Sequence, residues 1–163
     1  MTHFVIDTNV AVVANGKHPE ASLDCIMSCI QTLANIQTNG AVVVDDGPAI
    51  FQEYMDHLSL SGQPGVGDAF FRWLWHNQGW PERCERVRIT PVNSSFQEFP
   101  DDPALAGFHE DDRKFVAVAL ASQSTPEILN AVDSDWWDFR DALERNGVRV
   151  RFLCPKHFAK SGR

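Results

Sequence analysis

Short apolar runs alternate with helical stretches along this chain, and that order permits few architectures. Phe4-Val5-Ile6 stops at Asp7-Thr8-Asn9, and Val10, Val12 and Val13 resume before Gly16 as a short helix. From Pro19 to Gly40 apolar residues recur at Leu23, Ile26, Met27, Ile30, Leu33 and Ala34, a spacing that predicts an amphipathic helix. Ala41 to Val44 reads as a second strand. Asp45-Asp46-Gly47-Pro48 then carries the start signals of a helix with the stripe Ile50, Phe51, Tyr54, Met55 and Leu58. An aromatic helix is expected over Ala69 to Asn77 and a third strand over Val87 to Val92. Asp111 and Asp112 open a helix packed through Phe115, Val118, Ala119 and Ser122, and Ile128 to Val132 forms a fourth strand. Asp133-Ser134-Asp135 caps a helix containing Trp136, Trp137, Phe139 and Leu143, which Gly147 ends before a fifth strand, Val148 to Leu153.

Parallel neighbours need crossover connections, and helices provide them. The expectation is therefore one α/β domain over residues 1–163, a three-layer α/β/α arrangement around a mainly parallel sheet of about five strands. At 163 residues the chain is long enough to bury a self-sufficient core. No stretch approaches the roughly 18 apolar residues of a membrane span, and the opening residues lack the pattern of a signal peptide, so the expected compartment is cytoplasmic. In that setting Cys25, Cys29, Cys84 and Cys154 read as reduced core thiols, the first two on one helix face.

In an open parallel sheet, ligands gather at the carboxyl ends of the strands. Asp7 follows strand one, Asp45 and Asp46 follow strand two, and Asp133 and Asp135 follow strand four, while Glu53, Asp111 and Asp112 sit on helices that can lean over that edge. Taken singly, Asp7, Asp46, Asp111 and Asp133 are each explained as helix N-caps, and Glu53 as a solvated helix residue. Taken together, carboxylates crowded at one edge repel unless protons or a cation intervene. An oxygen-only donor set favours Mg2+ or Mn2+ over zinc. The six histidines show no metal-ligand spacing.

Phe4-Val-Ile-Asp-Thr-Asn-Val10 resembles the opening strand and turn of the PIN domain nucleases, and later segments follow in that family's order. Ile50-Phe-Gln-Glu-Tyr54 is similar to its helical glutamate motif, Asp111-Asp-Arg-Lys-Phe-Val-Ala-Val-Ala-Leu120 to its third acidic segment, and Leu129-Asn-Ala-Val-Asp-Ser-Asp135 to its last acids. Leu143-Glu-Arg-Asn-Gly-Val-Arg-Val150 looks like the closing helix and strand. The resemblance implies a three-layer fold and a metal-dependent endoribonuclease whose catalytic and metal-binding acids are Asp7, Glu53, Asp112 and Asp133. Asp135 would join them as a fifth metal acid, with Thr8, Asn9, Asp111 and Ser134 in support. Where the family usually has Thr or Ser, two residues before Asp133, this chain has Ala131. The resemblance further implies Mg2+ or Mn2+ as cofactor, RNA as substrate, a toxin-like role with an inhibitory antitoxin protein, and a homodimer.

The formal charge of −8 argues against broad electrostatic wrapping of nucleic acid. It is unevenly placed. Residues 1–139 carry 7 bases and 20 acids (7 − 20 = −13), and residues 140–163 carry 7 bases and 2 acids (7 − 2 = +5). Arg140, Arg145, Arg149 and Arg151, with Lys156 and Lys160, are thus candidate phosphate contacts, Arg86, Arg88, Arg113 and Lys114 weaker ones. Phe70, Phe71, Trp73, Trp75 and Trp80 crowd a short region that suggests a docking or base-stacking surface, or else a helix buried on two sides. Two rival readings are a magnesium-dependent phosphatase, disfavoured because Asn9 stands where such enzymes place a second Asp, and a noncatalytic PIN-like module that binds RNA or protein.

Overall fold

A computed structural model of the protein describes residues 1–160, with the side chain of Lys160, one of the tail's bases, outside the description. Among these residues eight α-helices and a five-stranded central sheet make a three-layer α/β/α fold. The strands of that sheet are β1 (Thr2–Ile6), β2 (Gly40–Asp45), β3 (Cys84–Val87), β6 (Glu127–Asn130) and β7 (Arg149–Phe152), in the order β3-β2-β1-β6-β7, every neighbouring pair parallel. The helices are α1 (Thr8–Ala14), α2 (Leu23–Asn39), α3 (Ala49–His57), α4 (Val66–Asn77), α5 (Arg113–Ala121), α6 (Ser134–Asp138), α7 (Arg140–Arg145) and α8 (Pro155–Lys160). Among the described residues no helix is long and apolar enough to cross a membrane.

The chain leaves β1 toward β2 on one side and reaches β6 on the other. A crevice therefore opens between the carboxyl ends of β1 and β6, the place where a sheet of this topology receives ligands. Ile6 is in register with Leu129 there, and the Asp7 amide extends the pairing by donating to the Leu129 carbonyl at 3.1 Å. All six residues of β2 are buried, as expected of a strand covered on both faces. Gly67 lets α4 cross close to α1: a Cβ there would stand 2.0 Å from the Ala11 carbonyl oxygen. That contact braces the helix which Asp7 starts.

Several local expectations need correction. The third sheet strand is Cys84–Val87, earlier than Val87 to Val92; Pro91–Val92 (β4) instead forms a small antiparallel hairpin with Ser95–Phe96 (β5). β2 ends at Asp45, in register with Val87, and the chain turns from there into α3, so the run has no partner strand beyond Val87. Asp45, rather than Asp46, starts α3 by accepting from the Ala49 and Ile50 amides, each at 2.9 Å. The helix after Asp133 is two short pieces divided at Phe139.

The cysteines are a second correction. Cys25 and Cys154 form a disulfide across a separation of 129 residues, while Cys29 and Cys84 are free and buried. Sequence spacing revealed that Cys25 and Cys29 share a face of α2, but not that the end of β7 returns to that face. Closing so long a loop stabilises the chain by about 2–5 kcal/mol. Burial pushes the Cys29 thiol up to about 12 and the Cys84 thiol up to about 11.

The aromatic stretch is largely core. Phe70 and Phe71 are buried and Trp73 and Trp75 pack against the core, with Phe71 edge-on to Tyr54 and Trp75 edge-on to Phe51. Trp80 alone among the five rings stands out, at 62% exposure. The small domain takes in four of them because α4 is sandwiched between α1, α2 and α3 side chains, which composition alone does not reveal.

Candidate metal centre

Three separate segments deliver carboxylates to the β1/β6 crevice. Asp7 follows β1, Asp133 follows β6, and Asp112 stands at the start of α5, and their oxygens lie within 4.8 Å of one another. The capping and clustering readings hold at the same time. Asp7 accepts from the Asn9 amide at 3.0 Å, and Asp133 accepts from the Asp135 amide at 2.9 Å. A carboxylate offers about four lone-pair sites, so one capping bond leaves capacity for a cation.

Asp7 is held on its other oxygen as well, by the indole N–H of the fully buried Trp136. Asn9 ties the two strand ends together. Its amide nitrogen donates to the Asn130 side chain at 2.7 Å, and its oxygen accepts from the backbone amides of Ala131 at 2.8 Å and Val132 at 3.2 Å. The buried Asn130 in turn donates to the Asp133 carbonyl and accepts from the Asp133 amide. Asp7 and Asp133 thus sit on a cross-linked frame, and Ala131 stands where its backbone N–H, rather than a hydroxyl, serves that frame.

Glu53, Thr8, Asn9, Asp111 and Asp135 line the same cleft, a cavity of about 520 Å³. Glu53 is outside the tight cluster, with Lys114 at 2.9 Å, His57 at 3.3 Å and the Thr8 hydroxyl at 3.4 Å. Asp111 points to exposed surface near His109, which resolves the neighbouring pair in favour of Asp112 as the clustered acid. Asp135 accepts from the His109 amide at 2.9 Å. Ser134 begins α6 and does not line the cavity.

None of the four tail arginines lines it either. Arg140 stacks on Trp137 with its guanidinium 4.0 Å from the ring centre, Arg149 donates to the Thr125 carbonyl, and Arg151 pairs with Glu127 at 2.6 Å. Arg145 is exposed at the end of α7. Arg149 is in register with the first residue of β6, so it lies at the opposite end of the strands from Asp133. His18, His57 and His109 line the cleft and the buried Trp136 and Asn130 support its acids from behind, all unassigned in the sequence, while Lys114, beside Glu53, had ranked only among the weaker cations. Trp136 and Lys114 reach the site through long-range contacts, to Asp7 and Glu53, that no spacing rule marks, whereas His57 pairs with Glu53 one helical turn away.

The electrostatics are those of an uncompensated acid cluster. Burial, reinforced by Asp133, pushes Asp7 up to about 7 against the pull of the Asn9 amide; burial, then Asp7, Asp133 and Asp135, pushes Asp112 up to about 9. Asp135 is raised as well, by burial first. Among the described residues no ion pair reaches Asp7, Asp112 or Asp133. Protonation would relieve the repulsion in the metal-free protein, and so would a hard divalent cation. The all-oxygen donor set fits Mg2+ or Mn2+.

A pH dependence follows, with its sign fixed by the raised values. The folded state binds these protons more tightly than the unfolded chain, so this contribution to stability is complete below about pH 4 and is lost as pH rises through about 7 and 9. Melts in chelator should show the metal-free protein less stable at pH 8 than at pH 5, and the drop should shrink in Asp112→Asn. An equal drop in both proteins would detach Asp112 from the cluster.

Comparison of the chain with protein-family models, with curated proteins and with solved structures finds no match.

Proposed function

We propose that the protein is a divalent-metal-dependent ribonuclease of the PIN-like kind, working in the cytoplasm on single-stranded RNA. The observation that carries this reading is the convergence of Asp7, Asp112 and Asp133 within 4.8 Å at the sheet's crevice, with no ion pair to any of the three among the described residues. Their carboxylate oxygens would hold Mg2+ or Mn2+, which when bound activates water and offsets charge on the scissile phosphate. Trp136 and Asn9 keep Asp7 and the β6 end in place, so the acids need little reorganisation when the cation arrives. Lys114 holds Glu53 at the cleft wall and offers a positive charge to a phosphate beside it. Asp135, which also lines the cleft, is fixed by the His109 amide. Water adds to phosphorus and the bond to the 3′ oxygen breaks, leaving a 5′-phosphate and a 3′-hydroxyl.

An inhibitory antitoxin protein that fills this acidic cleft is the partner the same reading implies, and a second copy of the chain is the other. The testing experiment incubates a mixed panel of single-stranded RNAs with purified protein in magnesium, manganese or chelator. Cleavage in either metal and none in chelator is expected. RNA binding without cleavage, unchanged by chelator, would shift the reading to a noncatalytic module, and hydrolysis of a chromogenic phosphate ester without RNA cleavage would shift it to a phosphatase.

A further inference from the structure

Cys25 and Cys29 occupy successive turns of one face of α2, and Cys154 arrives on that face from the end of β7. The three sulfurs lie within 4.8 Å of one another and all three residues are buried. A cross-link uses only two of them. Cys29, fully buried and outside the disulfide, is a third soft ligand aimed at the same point. His157 lines a cavity of about 300 Å³ together with Cys25 and Cys154. The spacing is then Cys-x3-Cys on a helix and Cys-x2-His beyond a strand, with none of the four residues in the acidic cleft.

We propose that the reduced protein binds one thiophilic divalent cation, of zinc's class, on the sulfurs of Cys25, Cys29 and Cys154, with the fourth position facing the cavity that His157 lines. Tetrahedral coordination at about 2.3 Å places thiolates roughly 3.8 Å apart. Cys29 already lies within 4.8 Å of both partners, so opening the disulfide requires the other two sulfurs only to separate by side-chain rotation. A dithiol reductant supplies two electrons and two protons to the Cys25–Cys154 bond and leaves as its own disulfide. The cation then displaces the three thiol protons. The tie between α2 and the C-terminal segment is thereby kept in both redox states, by a covalent bond in one and by thiolate–metal bonds in the other.

The test uses the full chain, reduced with a phosphine, desalted without oxygen and titrated with Co2+ in excess Mg2+. Thiolate-to-cobalt charge transfer in the near ultraviolet should rise to one equivalent and vanish when Zn2+ is added. The oxidised protein should show none of it, Cys29→Ser should weaken binding by at least about tenfold, and Cys84→Ser and Asp7→Asn should match wild type. Absence of the band in reduced, folded protein, or an unaltered band in Cys29→Ser, would overturn the proposal. If reduction itself unfolds the chain, far-ultraviolet dichroism is the readout: refolding on Zn2+ supports the site, and no refolding overturns it.

Discussion

In chelator, Asp112→Asn should melt at a higher temperature than wild type; in saturating magnesium the order should reverse. The substitution removes a carboxyl that burial and three neighbouring acids hold up to about 9. At neutral pH the folded metal-free protein must keep that group protonated or bear its repulsion, a difference of about 1–3 kcal/mol that Asn avoids. A cation changes the balance. At a hundred times its dissociation constant it adds about 2.7 kcal/mol to the folded state, most of which the variant should lose along with the ligand oxygen. The same comparison at Asp133 separates ligand from cap: Asn caps nearly as well as Asp, so a pure cap would leave the magnesium increment unchanged. An Asp112→Asn protein with the same melting order in both buffers would mean that the cluster holds no metal.

The second large effect is on RNA cleavage. Asp7→Asn keeps a side chain that can still cap α1, so the fold should survive, as near-wild-type dichroism would show. The activity should not. Loss of transition-state charge stabilisation of about 4 kcal/mol corresponds to a fall on the order of 10³-fold in kcat. Asn9→Ala acts at one remove: it frees the Ala131 and Val132 amides and loosens the β6 end without touching the donor set. A smaller fall, roughly 10- to 100-fold, is expected there, with magnesium partly rescuing the rate. A rate in Asp7→Asn equal to wild type would assign the cleavage to something other than these acids.

The sheet was legible because its signals are local. β1 and β2 are apolar runs with turn signals at their ends, and α2, α3 and α5 carry helical stripes, so the layers were legible; β3, with charged Glu85 and Arg86 in Cys84–Val87, lacks that signal and was placed too late. Asp7, Asp112 and Asp133 were legible for the same reason, since each marks an element boundary where a strand ends or a helix starts. What escaped is what depends on distance through space. The approach of Cys154 to Cys25 links residues 129 apart, and the indole that grips Asp7 belongs to a tryptophan indistinguishable in sequence from its neighbour Trp137. Glu53 illustrates the limit most clearly: its position on α3 is as expected, yet Lys114 from the start of α5 holds its carboxylate outside the tight cluster. Composition could not place the basic tail: Arg140 and Arg145 lie on α7 and Arg149 and Arg151 on β7, and none of these four lines the acidic cleft.

Direct binding of Mn2+, followed by the loss of the free-ion electron paramagnetic resonance signal, tests the central claim that these three carboxylates form a cation site. The expected result is saturable binding to wild type at neutral pH, displaced by excess Mg2+ and weakened at least about tenfold in Asp112→Asn, with the disulfide intact in both proteins. Binding that is absent from wild type, or identical in the variant, would contradict it.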